Sequence, residues 1–293
     1  MGLAAIFDLP APAKLNLFLH IVGRRADGYH LLQSVFVLLD WCDTLHFERR
    51  ADGQLQRHDL GAALPGDDLC LHAARALQRA SGTTRGADIS VQKQVPSGAG
   101  LGGGSSDAAT VLLALNRLWD LNWPRARLLE LALSLGADVP FFIGGRNAFV
   151  EGVGERLTPI DVAAQWLAVV KPAESIPTSA IFASPLLERN QAAVIVEDFL
   201  ESAGLQQRWY GNEGRNDLQR PAEAHCPEVT QVAAWLGSRF GASRMTGSGS
   251  AVFARAGTGV EPVATWSADE LPPRWVGRMC RSLDRHPLLD WAD

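Results

Sequence analysis

Residues 14–22 (KLNLFLHIV) alternate as a half-buried strand does, with Leu15, Leu17, Leu19 and Ile21 on one face and Asn16, Phe18 and His20 on the other. After a break from Gly23 to Gly28, an apolar run extends from Leu31 to Leu39. Leu69, Ala73, Ala76 and Leu77 fall at helical spacing and predict a helix over 68–80. Residues 88–95 alternate again, with Ile89, Val91 and Val95 on one face and Lys93 interrupting it, and Pro96 ends the strand. A stripe of Ala108, Val111, Leu112, Leu115 and Leu118 predicts a helix from Asp107 to Trp119, with Ser105 or Ser106 as its N-cap. A second helix over 126–135 is expected to stop at Gly136 as the C′ residue. Beyond Thr158 and Pro159 the pattern predicts strands at 165–170 and 251–255, helices near 191–203 and 228–238, and a glycine turn at 246–249. Strands and helices without strict alternation argue for an α+β fold, divided near residue 158 into segments 1–158 and 159–293.

Between the strand ending at Val95 and the following helix lies PSGAGLGGGSSDAA, residues 96–109, with five glycines within seven residues. Glycine admits positive φ and lets backbone N–H groups approach a ligand closely. A helix N-terminus behind such a loop adds unpaired donors and a positive dipole end, which suits a polyphosphate. A plain strand-to-helix turn needs only one or two glycines. Gly98, Gly100 and Gly103 satisfy a dinucleotide-binding pattern, but no second strand ending in an acid follows, so that reading fails on context. No Gly-Lys pair exists in the chain, which excludes a P-loop.

The net charge of −5 gives no basic footprint for nucleic acid. Cysteines 42, 70, 226 and 280 are too far apart for a redox or zinc motif and are expected to be reduced thiols. Neither a signal peptide nor a membrane span is visible, so a cytoplasmic protein without a membrane partner is expected.

The loop, together with PAKLNLFLHI (12–21), ADGYH (26–30), LGADVPFF (135–142) and MTGSGSAVF (245–253), resembles the GHMP kinase superfamily. The likeness runs from about residue 12 to the C-terminus and includes GVGE (152–155) and SIPTSAIF (175–182). It implies a two-domain α+β architecture, with a ribosomal-protein-S5-like N-terminal domain and a ferredoxin-like C-terminal domain. It also implies transfer of the γ-phosphoryl group of ATP to an alcohol. The similar branch of the family implies cytidine-diphosphate-linked methylerythritol as the acceptor, phosphorylated on its 2-hydroxyl in non-mevalonate isoprenoid precursor biosynthesis. Homoserine or mevalonate as acceptor, and a nucleotide-binding protein without turnover, are the alternatives.

The resemblance also implies roles for single residues. Asp138, which alone reads as a turn former before a proline, matches the catalytic aspartate, and Lys14 the active-site lysine beside it. Such an ammonium stabilises a developing alkoxide and keeps the aspartate ionised. Pro96, Ser97, Gly98, Ala99, Gly100, Leu101, Gly102, Gly103, Gly104, Ser105 and Ser106 would cradle the ATP phosphates, with Lys93, Asp68 and Leu69 near the adenine. Mg²⁺ would ride on the phosphates and touch Ser106. Asn16 would orient the acceptor, Tyr29 and Phe182 would sandwich its cytosine, and His30 and Thr178 would hydrogen-bond to it. The family often carries Asn before the leucine at 69; Asp68 is a departure, because an ionised acid donates no hydrogen bond.

Overall fold

The computed structural model describes residues 3–66, 68–189, 191–202 and 214–293. Two long antiparallel strands, β1 (Ala5–Arg24) and β2 (His30–Arg50), form its spine. The Asp27-Gly28 pair turns the chain between them: Gly28 has φ 94°, and the Arg25 amide donates to the Tyr29 carbonyl at 2.7 Å. The first strand is far longer than the alternation at 14–22 suggests, because Pro10 and Pro12 mask its start. Its ladder runs to β2 alone, so each proline loses no hydrogen bond on the other side. The expected two-faced alternation also fails. Register shifts between Asn16 and Leu19 accompany burial of Phe18 with Leu15 and Leu17 in one core, while Leu19 and Ile21 enter another.

Beside the spine, β3 (Leu55–Asp59) runs parallel to β4 (Gly86–Gln92), and α1 (Leu69–Ser81) connects them. Asp68 caps α1 by accepting from the Leu71 amide at 3.1 Å. The helix after the loop, α2 (Gly103–Leu118), starts four residues before the expected Asp107. Left-handed Gly102 (φ 71°) is its N-cap, so neither Ser105 nor Ser106 caps it; both lie within the first turn. Two glycines begin a helix here because tertiary packing around the loop overrides their poor propensity. The next helix, α3 (Arg125–Leu133), closes at Ser134, and Gly136 makes only a long 3.4 Å bond to the Ala132 carbonyl instead of serving as a left-handed C′ residue. A short helix, α4 (Val139–Gly144), leads into β5 (Ala148–Gly152) and β6 (Arg156–Pro159).

The remaining strands are β7 (Trp166–Lys171), β8 (Ser243–Met245), β9 (Val252–Arg255) and β10 (Val276–Leu283). Short helices α5 (Thr178–Ala183) and α6 (Val196–Glu201) precede α7 (Gln219–His225) and α8 (Glu228–Phe240). The helix expected near 191–203 is thus shorter, and residue 203 lies outside the described residues. The last strand pairs with β7 along six residues and with β2 at Ser282–Leu39 and Leu283–Leu38. One sheet therefore runs β3-β4-β2-β10-β7-β9-β8 through both halves of the sequence.

Asn147 fastens that junction. Its buried side chain accepts from the Leu38 amide at 2.9 Å and donates to the Leu283 carbonyl at 2.9 Å. Asn147→Ala leaves one buried and one half-buried backbone group without this partner, each costing about 1–3 kcal/mol. Urea denaturation should show a loss of about 2–4 kcal/mol; a change below 0.5 kcal/mol, on the order of an ordinary surface substitution, would show the junction to be held elsewhere.

Candidate active site

A cleft of about 680 Å³ opens between the glycine loop, the middle of β1, the start of α4 and the turn 246–249. The loop forms one wall with residues 96–105. Gly98, Gly100 and Gly102 have φ of 64°, 74° and 71°, so three alternate residues take a conformation that disfavours any side chain. Space is equally short: a Cβ on Gly100 would lie 2.3 Å from the Thr246 carbonyl oxygen, and one on Gly102 3.0 Å from Lys14 Cγ. Three main-chain bonds hold the loop from both sides. The Lys14 amide donates to the Leu101 carbonyl at 2.9 Å, Ser250 to Gly98 at 3.3 Å and Ala251 to Ala99 at 3.1 Å.

Lys14 is buried opposite the loop. Its ammonium donates to Asn16 Oδ1 at 2.6 Å, lies 3.4 Å from Asp138 Oδ2 and sits 4.3 Å from the centre of the Phe36 ring. Asn16 is fixed in turn: its Nδ2 donates to Ser34 Oγ at 3.0 Å and its amide to Thr246 Oγ1 at 2.9 Å. Asp138 stands at the N-terminus of α4 without capping it, so its carboxylate is not consumed by the turn. Its side chain is 31% exposed at the cleft, whereas that of Lys14 is only 4% exposed. One lysine charge is therefore held between an amide oxygen and a carboxylate that a substrate can reach.

A second lysine lies behind the loop. Lys93 donates to Asp107 Oδ2 at 2.6 Å and to Asp43 Oδ2, whose other oxygen accepts the Gln94 and Val95 amides at 2.6 and 2.8 Å. Burial works against the Lys93 charge, but the Asp107 and Asp43 carboxylates outweigh it and raise its pKa above the usual range. Burial pushes Asp107 well above the carboxylate range, Asp43 adding to the shift and Lys93 opposing it. The buried Ser106 hydroxyl and Asp107 Oδ1 have no hydrogen-bond partner there.

A side pocket of about 210 Å³ adjoins the loop and is lined by Leu64, Pro65, Asp68, Leu69, Lys93 and Asp107, among others. Asp68 is already engaged twice, as the cap of α1 and with Arg57 at 2.8 Å. Arg57 also donates to Asp59 at 2.8 Å and to the Pro65 carbonyl at 2.8 Å, so the departure at 68 is neutralised by a neighbouring guanidinium.

The structure thus gathers Lys14, Asn16, Leu69, Lys93, residues 96–105, Asp138, Thr178 and Phe182 around one cleft. Thr178 shares a 2.7 Å hydrogen bond with Ser248. Ser106 does not line the cleft, Tyr29 stands 64% exposed at the hairpin tip, and Phe182 faces the His30 ring at 5.1 Å and 28° instead of Tyr29. Asp43 and Thr246 escape a reading of the sequence, since each acts through partners distant along the chain. Arg57, whose partners Asp59 and Asp68 are near in sequence, and Asp107, directly after the loop, were within reach of it.

Comparison with known proteins settles the lineage. The GHMP kinases N terminal domain family matches residues 68–146 and the GHMP kinases C terminal family residues 196–263. A protein of Methylibium petroleiphilum named 4-diphosphocytidyl-2-C-methyl-D-erythritol kinase is 67% identical over 100% of both chains. The chain belongs to the GHMP kinases. A Variovorax paradoxus protein of the same name is 53% identical, covering 98% of this GHMP kinase and 99% of its own length. A crystal structure of 4-(cytidine 5'-diphospho)-2C-methyl-D-erythritol kinase superposes with a TM-score of 0.74 at 33% identity, over 94% of this chain and 99% of the other. Homoserine kinase from Cytophaga hutchinsonii gives a TM-score of 0.67 at 15% identity, over 97% and 95% of the two chains, which is a likeness of fold. As a GHMP kinase the enzyme takes ATP as co-substrate.

Gly100→Val and Gly103→Val should each weaken ATP binding by tenfold or more, about 1.4 kcal/mol, with circular dichroism unchanged. The first drives a side chain into Thr246, the second into Val95 Cγ1 at 3.1 Å. Titration calorimetry that finds nucleotide affinity intact in both variants removes the loop from the phosphate role.

Proposed function

We propose that this GHMP kinase transfers the γ-phosphoryl group of ATP to the 2-hydroxyl of 4-diphosphocytidyl-2-C-methyl-D-erythritol, giving the 2-phosphate and ADP. The observation that carries the reading is the placement of Lys14 and Asp138, 3.4 Å apart, across one cleft from a glycine loop at a helix N-terminus. The names of the full-length relatives support the choice of acceptor. We place the enzyme in the cytoplasm and the division between its domains near residue 158, after which β7 pairs with β9 and β10. No helix among the described residues is long and apolar enough to cross a membrane.

Phosphoryl transfer needs in-line positioning and charge neutralisation more than covalent chemistry. The loop amides and the α2 N-terminus hold the phosphates. Lys14 faces the developing charge while Asn16 fixes its ammonium, and Asp138 accepts the proton of the attacking hydroxyl. Phe36, under the Lys14 ammonium, and Leu101 make this part of the cleft wall apolar, which strengthens both charges. Leu69 and the side pocket with Lys93 and Asp68 take the adenine.

Mg²⁺ fits the donors present. Among the described residues no group of three His, Cys, Asp or Glu side chains is arranged for a metal, whereas Ser105 and Asp138 line the cleft from opposite sides and the unpartnered Ser106 hydroxyl lies buried in the first turn of α2. Magnesium takes few protein oxygens and leans on phosphates and water. Asp138 and Ser105 at the cleft would help to hold it, and it would supply positive charge to offset that of the phosphates.

The testing experiment is an ADP-release assay with the cytidine acceptor beside homoserine and mevalonate; preferred turnover of either alternative overturns the assignment. Asp138→Asn should keep ATP binding and lose about 10²- to 10⁴-fold in kcat. Activity within threefold of the parent removes Asp138 from the base role, and a larger loss in Lys14→Ala makes charge neutralisation the dominant effect.

The cytosine end of the acceptor lies, on this reading, against the ring of Tyr29 with its hydrogen-bonding edge turned to His30, which Phe182 supports from its other side. Base–aromatic stacking is worth about 1–3 kcal/mol, so Tyr29→Ala should raise the acceptor KM roughly 5- to 150-fold. The KM for ATP should stay within twofold, about 0.4 kcal/mol. Equal shifts in both constants would mean that Tyr29 supports the fold instead of the acceptor.

A further inference from the structure

Arg189 follows α5 and does not itself line the cleft, but its guanidinium binds the backbone of Phe182, which does. Its Nη2 donates to the Phe182 and Ser184 carbonyls at 3.3 and 3.0 Å, and its Nη1 to the Leu187 carbonyl at 3.2 Å. A fourth donor, Nε, points at His30 Nε2 at 3.2 Å. A guanidinium has no lone pair to offer and stays protonated, so His30 Nε2 is obliged to accept. The neutral imidazole then carries its proton on Nδ1, on the ring edge turned away from Arg189. Burial, Arg189 and Arg24 all lower the His30 pKa, which favours this neutral ring.

We propose that Arg189 is a positioning residue that locks His30 as the Nδ1–H tautomer, and that this single proton makes the acceptor site select cytosine over uracil. The inference rests on the functional reading above, in which His30 meets the base. His30 lies nearly parallel to Phe182, at 28° and 5.1 Å, so a base meeting its edge in the same plane also lies roughly parallel to the Phe182 ring, one layer away from it. A donor at Nδ1 matches the unprotonated N3 of cytosine. Uracil carries a hydrogen on N3, which leaves two donors facing each other. With the opposite tautomer the preference would be reversed. Three bonds from the same guanidinium to the 182–187 carbonyls fix its Nε in place, so the ring cannot exchange tautomers without losing the bond to Arg189.

Long-range proton–nitrogen NMR of ¹⁵N-histidine-labelled full-length enzyme reads the tautomer directly. His30 is expected to show a protonated Nδ1 and an unprotonated Nε2, and a protonated Nε2 in the unaltered enzyme overturns the proposal without any variant. In Arg189→Met the ring should shift towards the Nε2–H form. The cytidine-to-uridine ratio of kcat/KM should then fall tenfold or more, through the acceptor KM, with the KM for ATP unchanged. Arg189→Lys, which keeps one donor for Nε2, should retain more of the ratio than Arg189→Met. An unchanged ratio in Arg189→Met, with the ATP constants of the parent, overturns the selection role. Absence of turnover of the cytidine acceptor by the parent enzyme, with His30 in the Nδ1–H form, would instead refute the functional reading and leave the Arg189–His30 lock intact.

Discussion

A strip of three main-chain hydrogen bonds governs the site: Lys14 to Leu101, Ser250 to Gly98 and Ala251 to Ala99. A run of glycines in isolation samples many backbone states, and ordering each residue costs about 1–2 kcal/mol. Here its carbonyls are bound from both halves of the sequence, so the conformation is set before a ligand arrives. The same bonds tie the loop to the strand that carries Lys14. Phosphate cradle and lysine are therefore parts of one rigid unit, as a reaction dependent on alignment requires.

The two lysines near the loop are arranged for opposite ends. Lys14 keeps its charge facing a partly exposed carboxylate and leaves the cleft side open. Lys93 is committed to two buried carboxylates, one of which also receives the Gln94 and Val95 amides at the point where strand becomes loop. Removing one partner of such a buried set is costly. Asp43 and Asp107 thus fasten the end of β4 and the first turn of α2 to each other, and the loop spans the gap between two fixed points.

The elements around the candidate cleft were legible in the sequence because their signals are local, although Asp138 and Lys14 drew their roles from the family resemblance. The glycine run, the Lys14–Asn16 spacing along one strand and the Gly-Ala-Asp-Val-Pro turn each lie within a few residues. What stayed hidden depends on distant partners: Lys93 meets Asp43 across 50 positions, Asn16 meets Thr246 across 230, and His30 meets Arg189 across 159. In the fold, α1, α2 and, in the second half, β7 and β9 were visible as periodicity, whereas β8 and β10 were not foreseen. The start of β1 was not, since prolines on an edge strand mimic a break, and the N-cap of α2 was missed because a left-handed glycine took the place that a serine usually fills.

The elements around the acceptor end are built differently from those around the loop. They consist of a hairpin tip and a six-residue helix, carried on the rim of the sheet and joined to each other by side chains such as Arg189 and His30. Replacing those side chains leaves untouched the strip of backbone bonds on which the loop depends. A lineage that keeps the engine and re-tools the rim can explore new alcohols in small, viable steps. A homoserine kinase of 15% identity shares the fold.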